Sequence, residues 1–172
     1  MSSRRQFLVV AGTTVVLAPV VAWFGSPAVA NGADAEAMTF PIERSDAEWR
    51  AILDESQYRI LRNGSTERAG SSPLNKEKRA GIFACAGCGQ PLFSSTTKFE
   101  SGTGWPSFYQ PLPDAVATKA DRSFFMTRTE VHCERCLGHL GHVFDDGPPP
   151  TGQRYCMNGV ALKFEPAAAE AS

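Results

Sequence analysis

The sequence predicts a mainly β, antiparallel fold preceded by one helix and tied together by a cysteine-ligated metal site. From Gly81 onward, short apolar runs alternate with turns rich in Gly and Pro, the pattern of antiparallel strands. Four of the five cysteines form two Cys-x-x-Cys pairs, Cys85/Cys88 and Cys133/Cys136. With 172 residues, 42% hydrophobic and 20% charged, the chain has the make-up of one globular domain with its own core.

The first thirty residues read as an export signal. Ser3-Arg4-Arg5-Gln6-Phe7-Leu8 leads into an apolar run ending at Phe24, and Ala28-Val29-Ala30 supplies small residues for a signal peptidase. The paired arginines resemble a twin-arginine (Tat) signal, with Val9 where a lysine is frequent. The alternative is a retained membrane anchor, because residues 7–24 are about long enough to cross a bilayer. Gly12, Thr13, Thr14 and Pro19 weaken that run as a permanent helix. Either reading places the domain in the periplasm or otherwise outside the cytoplasm. Residues 31–41 are read as a linker, 42–166 as the domain and 167–172 as a disordered tail.

The net charge is −1; without Arg4 and Arg5, 15 basic residues face 18 acidic ones, or −3. That balance argues against a nucleic-acid surface, which needs surplus Lys and Arg. Nothing in the sequence points to an oligomer, and a monomer is expected.

The helix starts at Ser45-Asp46-Ala47-Glu48, a capping box. Trp49, Ile52, Leu53 and Ile60 give it one apolar face, and Asn63-Gly64 stops it. Residues 63–79 are polar and read as a surface connection. Strands are expected over 81–84, 91–93, 123–126, 130–132, 142–144 and 160–164. Pro148-Pro149-Pro150 is a stiff turn leading to the segment of Cys156.

Two Cys-x-x-Cys turns can each grip one edge of a tetrahedral ion, so Cys85, Cys88, Cys133 and Cys136 are candidate ligands for one structural Zn²⁺. Because the pairs lie far apart in sequence, the ion would clamp distant parts of the chain. Disulfides or redox-active pairs are the alternatives. His132 adjoins Cys133 and reads as a strand or supporting residue.

Cys156 is the cysteine left over. Arg154, His139 and His142 are candidates to supply the positive charge or donors that a reactive thiolate needs, and Asn158 shares the face of Cys156 if this segment is a strand. The alternative is a buried, inert Cys156 among fold-supporting histidines. Trp105, on the turn between Gly104 and Pro106, could cradle a small apolar group such as a methyl on sulfur.

Together these stretches resemble the type B methionine sulfoxide reductases. The resemblance covers about 49–164 and rests on Thr66-Glu67, on the Gly-Ile-Phe-x-Cys-x-x-Cys-Gly run ending at Gly89, and on Ser101-Gly102-Thr103-Gly104-Trp105-Pro106-Ser107-Phe108. It continues with His139-Leu140-Gly141-His142-Val143-Phe144 and Arg154-Tyr155-Cys156-Met157-Asn158. It implies two antiparallel sheets in a β-tent-like arrangement with zinc at one end. It implies further that Cys156 attacks the sulfur of methionine R-sulfoxide and becomes a sulfenic acid. His139, His142 and Asn158 would serve the oxygen side, and Trp105, Phe108 and Arg154 the substrate.

The sequence departs from that family at two places. Many members carry a resolving cysteine where Thr103 stands, so recycling is expected to use an external thiol, either a thioredoxin-like protein or a small thiol. Met157 and Gly159 replace a common Ile or Val and a common Ser, which puts any hydrogen bond of that Ser in question. A Cys-His-Asn hydrolase and a non-enzymatic zinc-ribbon interaction module are the competing functional readings.

Overall fold

The structure, a computed structural model, describes residues 42–122 and 127–168. The expected signal over 1–30, the linker over 31–41, the strand over 123–126 and the end of the tail lie outside the described residues.

The single helix expected after Ser45 is two: α1 (Asp46–Ile52) and α2 (Glu55–Leu61). Leu53 is extended, and Asp54 restarts the helix with a second capping box to Gln57. The interruption shifts the helical phase. Trp49, Leu53 and Ile60 are buried as expected, whereas Ile52 is 48% exposed.

Nine strands follow among the described residues: β1 (Gly81–Cys85), β2 (Pro91–Ser94), β3 (Lys98–Phe99), β4 (Ser107–Phe108), β5 (Val116–Asp121), β6 (Arg128–Cys133), β7 (His139–Phe144), β8 (Arg154–Met157) and β9 (Leu162–Pro166). They form two antiparallel sheets. One has three strands in the order β2-β1-β9, and the other six in the order β3-β4-β8-β7-β6-β5. Residues 160–164, expected as one strand, begin in a 3-10 turn (Gly159–Ala161), and extended backbone starts only at Leu162.

The core lies between the sheets. Phe83 and Phe93 from the small sheet meet Phe108 and Tyr155 from the large one. Phe93 stacks on Phe108 with ring centroids 4.4 Å apart, and Phe83 meets Phe108 edge-on at 4.9 Å. Such pairs contribute about 0.5–1.5 kcal/mol each beyond their buried area. Phe108 is fully buried here, so the substrate-contacting role expected for it does not fit. It follows Ser107 in β4, and successive strand residues point to opposite faces.

The 63–79 connection is not merely a surface loop. Ser72 is buried, Asn75 donates to the Gly104 carbonyl at 2.9 Å, and the Gly70 amide donates to the same carbonyl at 2.7 Å. The connection therefore fixes the loop that carries Trp105.

Candidate active site and metal centre

Cys156 occupies the middle of β8, flanked on both sides. Its register partners are Ser107 on β4 and His142 on β7. The same row continues from His142 to Glu130 on β6 and Lys119 on β5. Directly opposite residues share a face, so Ser107, Cys156, His142, Glu130 and Lys119 form one polar row across five strands. Tyr155 and Met157, the neighbours of Cys156 in β8, are buried in the core. Met157 therefore packs the interior and points away from the face of Cys156.

His139 and His142 are three apart and would face opposite ways on a regular strand. They share a face because β7 carries a bulge. Val131 pairs with Gly141 but His132 pairs with His139, which leaves Leu140 as the extra residue. The two rings lie 5.5 Å apart, edge to face.

Each histidine is held by a carboxylate. His139 Nδ1 lies 2.9 Å from Glu130 Oε1, while His142 Nε2 lies 2.9 Å from Asp121 Oδ2. Glu130 also pairs with Lys119, and Asp121 accepts from Arg128 at 2.7 Å. Because a carboxylate only accepts, Asp121 places a proton on His142 Nε2. Burial, followed by the repulsion of Arg128 and His139, pushes His142 below the usual imidazole range against the pull of Asp121.

A cleft of about 110 Å³ opens beside Cys156. Trp105, His142, Phe144, Asn158, Arg128 and Thr66 contribute to its walls. Trp105 donates its indole N–H to the Glu67 carbonyl at 3.2 Å, which sets the ring. Arg154 is clamped by two bonds of 2.8 Å to Asp146 and lies 4.4 Å above the Phe144 ring. Asp146 foremost, together with the neighbouring Cys156 sulfur, holds Arg154 even more firmly protonated than usual.

Asn158 is buried, and its amide is committed to the backbone. Its Oδ1 accepts from the Glu67 amide and its Nδ2 donates to the Leu140 carbonyl, both at 3.0 Å. The Glu67 carboxylate in turn accepts from the amides of Gly159 and Val160 at 2.5 and 3.3 Å. Burial raises the Glu67 carboxyl, and these two donors oppose the shift. A Cβ on Gly159 would overlap the Ser72 hydroxyl. Ser72 thus fills the space where a serine at residue 159 would stand.

The structure therefore brings Cys156, His142, Trp105, Asn158 and Arg154 together, with His139 behind His142. Asp121, Glu130 and Asp146 also build the site without being singled out in the sequence, and so does Glu67, which the sequence marks without assigning it a role. Thr66-Glu67 was the one signal that pointed to any of them.

The four remaining cysteines gather at the knuckles that follow β1 and β6. Cys85 and Cys136 sulfurs are 3.7 Å apart, Cys88 and Cys133 sulfurs 3.6 Å, and all four lie within 4.8 Å of one another. These spacings suit a tetrahedron with metal–sulfur bonds of about 2.3 Å, whose edge is about 3.8 Å. They far exceed the roughly 2 Å of a disulfide bond, and all five cysteines are free. The knuckles match: Gly89 and Leu137 both have positive φ and donate to the carbonyls of Cys85 and Cys133 at 2.9 Å. Close mutual hydrogen bonding raises Cys85 and Cys133 while lowering Cys88 and Cys136. A central cation would let all four ionise together, so the cluster fits a metal ion.

Fold and site together define a member of the SelR domain family: the family's model matches residues 53–166, and the chain belongs to it. Among curated relatives, "Peptide methionine sulfoxide reductase MsrB" of Methanosarcina barkeri is 56% identical over 72% of this chain and 88% of its own length. Proteins of the same name from Leptospira interrogans and Pseudomonas putida are 54% and 55% identical, covering 74% and 73% of this chain and 98% and 95% of their own lengths.

Proposed function

We propose that the chain reduces methionine R-sulfoxide in proteins or peptides through a sulfenic acid on Cys156. The observation that supports this best is the direct pairing of Cys156 with His142 beside the Trp105 cleft. Family membership and the high identity to named reductases make the chain a peptide methionine sulfoxide reductase; the stereochemistry and the thiol route are the proposal.

In this reading the substrate methyl packs on Trp105 and the Cys156 sulfur attacks the sulfoxide sulfur. The sulfur–oxygen bond of the substrate breaks, and oxygen ends with a proton on Cys156. One thiol and one sulfoxide thus become one sulfenic acid and one methionine, with two electrons passing from Cys156 to the substrate sulfur. Oxide is a poor leaving group and needs a proton. His142, whose Nε2–H is committed to Asp121, supplies it from its doubly protonated form, and His139 supports that ring. Asn158 retains one uncommitted N–H for the oxygen. Arg154 stabilises negative charge on the Cys156 sulfur.

Thr103 Oγ1 lies 3.7 Å from the Cys156 sulfur, and the other four thiols are gathered with one another. The sulfenic acid is therefore reduced from outside: two molecules of a small thiol, or one thioredoxin-like dithiol, give a disulfide, water and the Cys156 thiol. The four clustered cysteines hold one structural Zn²⁺, which locks the two knuckles together. The chain acts outside the cytoplasm, a reading supported by the twin arginines; persistence of export after Arg4 and Arg5 are both changed to Lys would oppose the Tat route.

The test is incubation with each diastereomer of a methionine sulfoxide peptide plus dithiol. Reduction of the R form alone, abolished by Cys156→Ser, is expected. Reduction of only the S form would overturn the stereochemistry, and an internal disulfide after one turnover without reductant would overturn external recycling. The hydrolase reading lacks its relay, because Asn158 bonds backbone groups and not an imidazole.

A further inference from the structure

The Cys156 sulfur is the end of a chain of hydroxyls. Thr103 Oγ1 lies 3.7 Å from it, Ser101 Oγ lies 2.8 Å from Thr103 Oγ1, and Ser107 Oγ lies 2.7 Å from Ser101 Oγ. Ser107, fully buried, is 3.1 Å from the Trp105 carbonyl.

Proton counting fixes the direction of this chain when Cys156 is a thiol. A carbonyl only accepts, so Ser107 donates to Trp105. Each hydroxyl has one proton, so Ser101 must donate to Ser107, Thr103 to Ser101, and the Cys156 S–H to Thr103. When Cys156 loses its proton, every link can turn round. Ser107 then donates to Ser101, Ser101 to Thr103, and Thr103 to the anionic sulfur. The reversal gives up one neutral bond, from Ser107 to a carbonyl, and gains one to an ion. Bonds to ions are about twice as strong as neutral ones, so the reversal is favourable.

Building on the reading of Cys156 as nucleophile, we propose that Thr103, Ser101 and Ser107 form a reversible hydroxyl chain that donates a hydrogen bond to the Cys156 thiolate. Thr103 touches the reacting sulfur; Ser101 and Ser107 are positioning residues that act through it. The charged and titratable groups facing the same sulfur are Arg154 from β8, His142 from β7 and Arg128 from β6, with Asp146 and Asp121 behind them. These are unchanged by substitutions in the hydroxyl chain, so its contribution can be measured separately.

The experiment measures iodoacetamide alkylation of Cys156 in the metal-loaded protein across pH, read at that residue by peptide mass spectrometry. Metal content and thermal midpoint serve as controls for folding. Thr103→Val is expected to slow alkylation about tenfold near neutral pH and to move the pH–rate profile upward, as loss of one bond to an ion implies. Thr103→Ser should restore both. Ser101→Ala, or Ser101→Gly should the first prove unstable, should move the profile the same way by a smaller amount, although Ser101 is not in contact with the sulfur.

A Ser101 variant that alkylates like the unaltered protein, or a Thr103→Val profile that stays in place, overturns the proposal. Alkylation does not require sulfoxide reduction. These outcomes therefore remain distinct from the loss of the nucleophile reading, which retained reductase activity in Cys156→Ser would signal.

Discussion

His142 and Cys156 are direct cross-strand partners on β7 and β8. Imidazole and sulfur are thus juxtaposed by backbone register, on strands in the interior of the six-stranded sheet, and not by a mobile loop. Replacing His142 with Asn is expected to lower the single-turnover rate of sulfoxide reduction at least about a hundredfold, the lower bound usual for a positioned acid, with little effect on the fold.

The same residue has a pH signature in stability. Burial holds folded His142 below its unfolded value of 6.5, so the unfolded chain binds the extra proton first. The His142 contribution is fully present above pH 6.5 and is lost as pH falls through the lower, folded value. Urea denaturation as a function of pH should show this loss, and the slope below pH 6.5 should shrink in His142→Asn.

Asp121 fixes the His142 ring and is itself fixed by Arg128. Asp121→Asn replaces the ionic acceptor with an amide that can present its donor to Nε2. The expected result is a fall in single-turnover rate of about tenfold or more, since hydrogen bonds to charged groups are worth about 1.5–3 kcal/mol. An unchanged rate would show that the ring is held without this carboxylate.

Gly159 and Ser72 compete for one space. Gly159→Ala forces its methyl into the Ser72 hydroxyl and should cost about 1–3 kcal/mol, as overpacking usually does. Ser72→Gly in the same chain should recover most of that loss. A double-mutant cycle by chemical denaturation would show the coupling, and additive single effects would refute it.

Glu67 joins three parts of the site through its amide, its carbonyl and its carboxylate. Glu67→Ala strips the acceptor from the Gly159 and Val160 amides, at about 1–3 kcal/mol for each donor left unsatisfied. A changed Trp fluorescence and a raised KM for sulfoxide peptide should accompany the loss of stability.

Spacing alone makes the two Cys-x-x-Cys knuckles legible and leaves Cys156 as the odd cysteine, while its reading as a nucleophile rests on the family resemblance. The break at Leu53 was hidden because Asp54 and Gln57 read equally well as interior residues of one long helix. β5 was hidden because Val116–Asp121 has little apolar content and gains its structure from pairing with β6. The carboxylates Asp121 and Glu130 become visible only when register sets them against the histidines. Phe108 was misassigned because it belongs to the motif of Trp105, yet strand parity sends it inward.

That parity has a consequence for how such a sequence can drift. Along β8, Arg154 and Cys156 share the face of the polar row, while Tyr155 and Met157 serve the interior. Substitutions at 155 and 157 are judged by volume, those at 154 and 156 by chemistry, and the two sets of constraints scarcely meet. A methionine at 157 is thus an interior change that leaves the thiol's own neighbours as they were. Insertion or deletion of one residue in β8 would exchange the two sets at a stroke, so this strand tolerates change in composition far better than change in length.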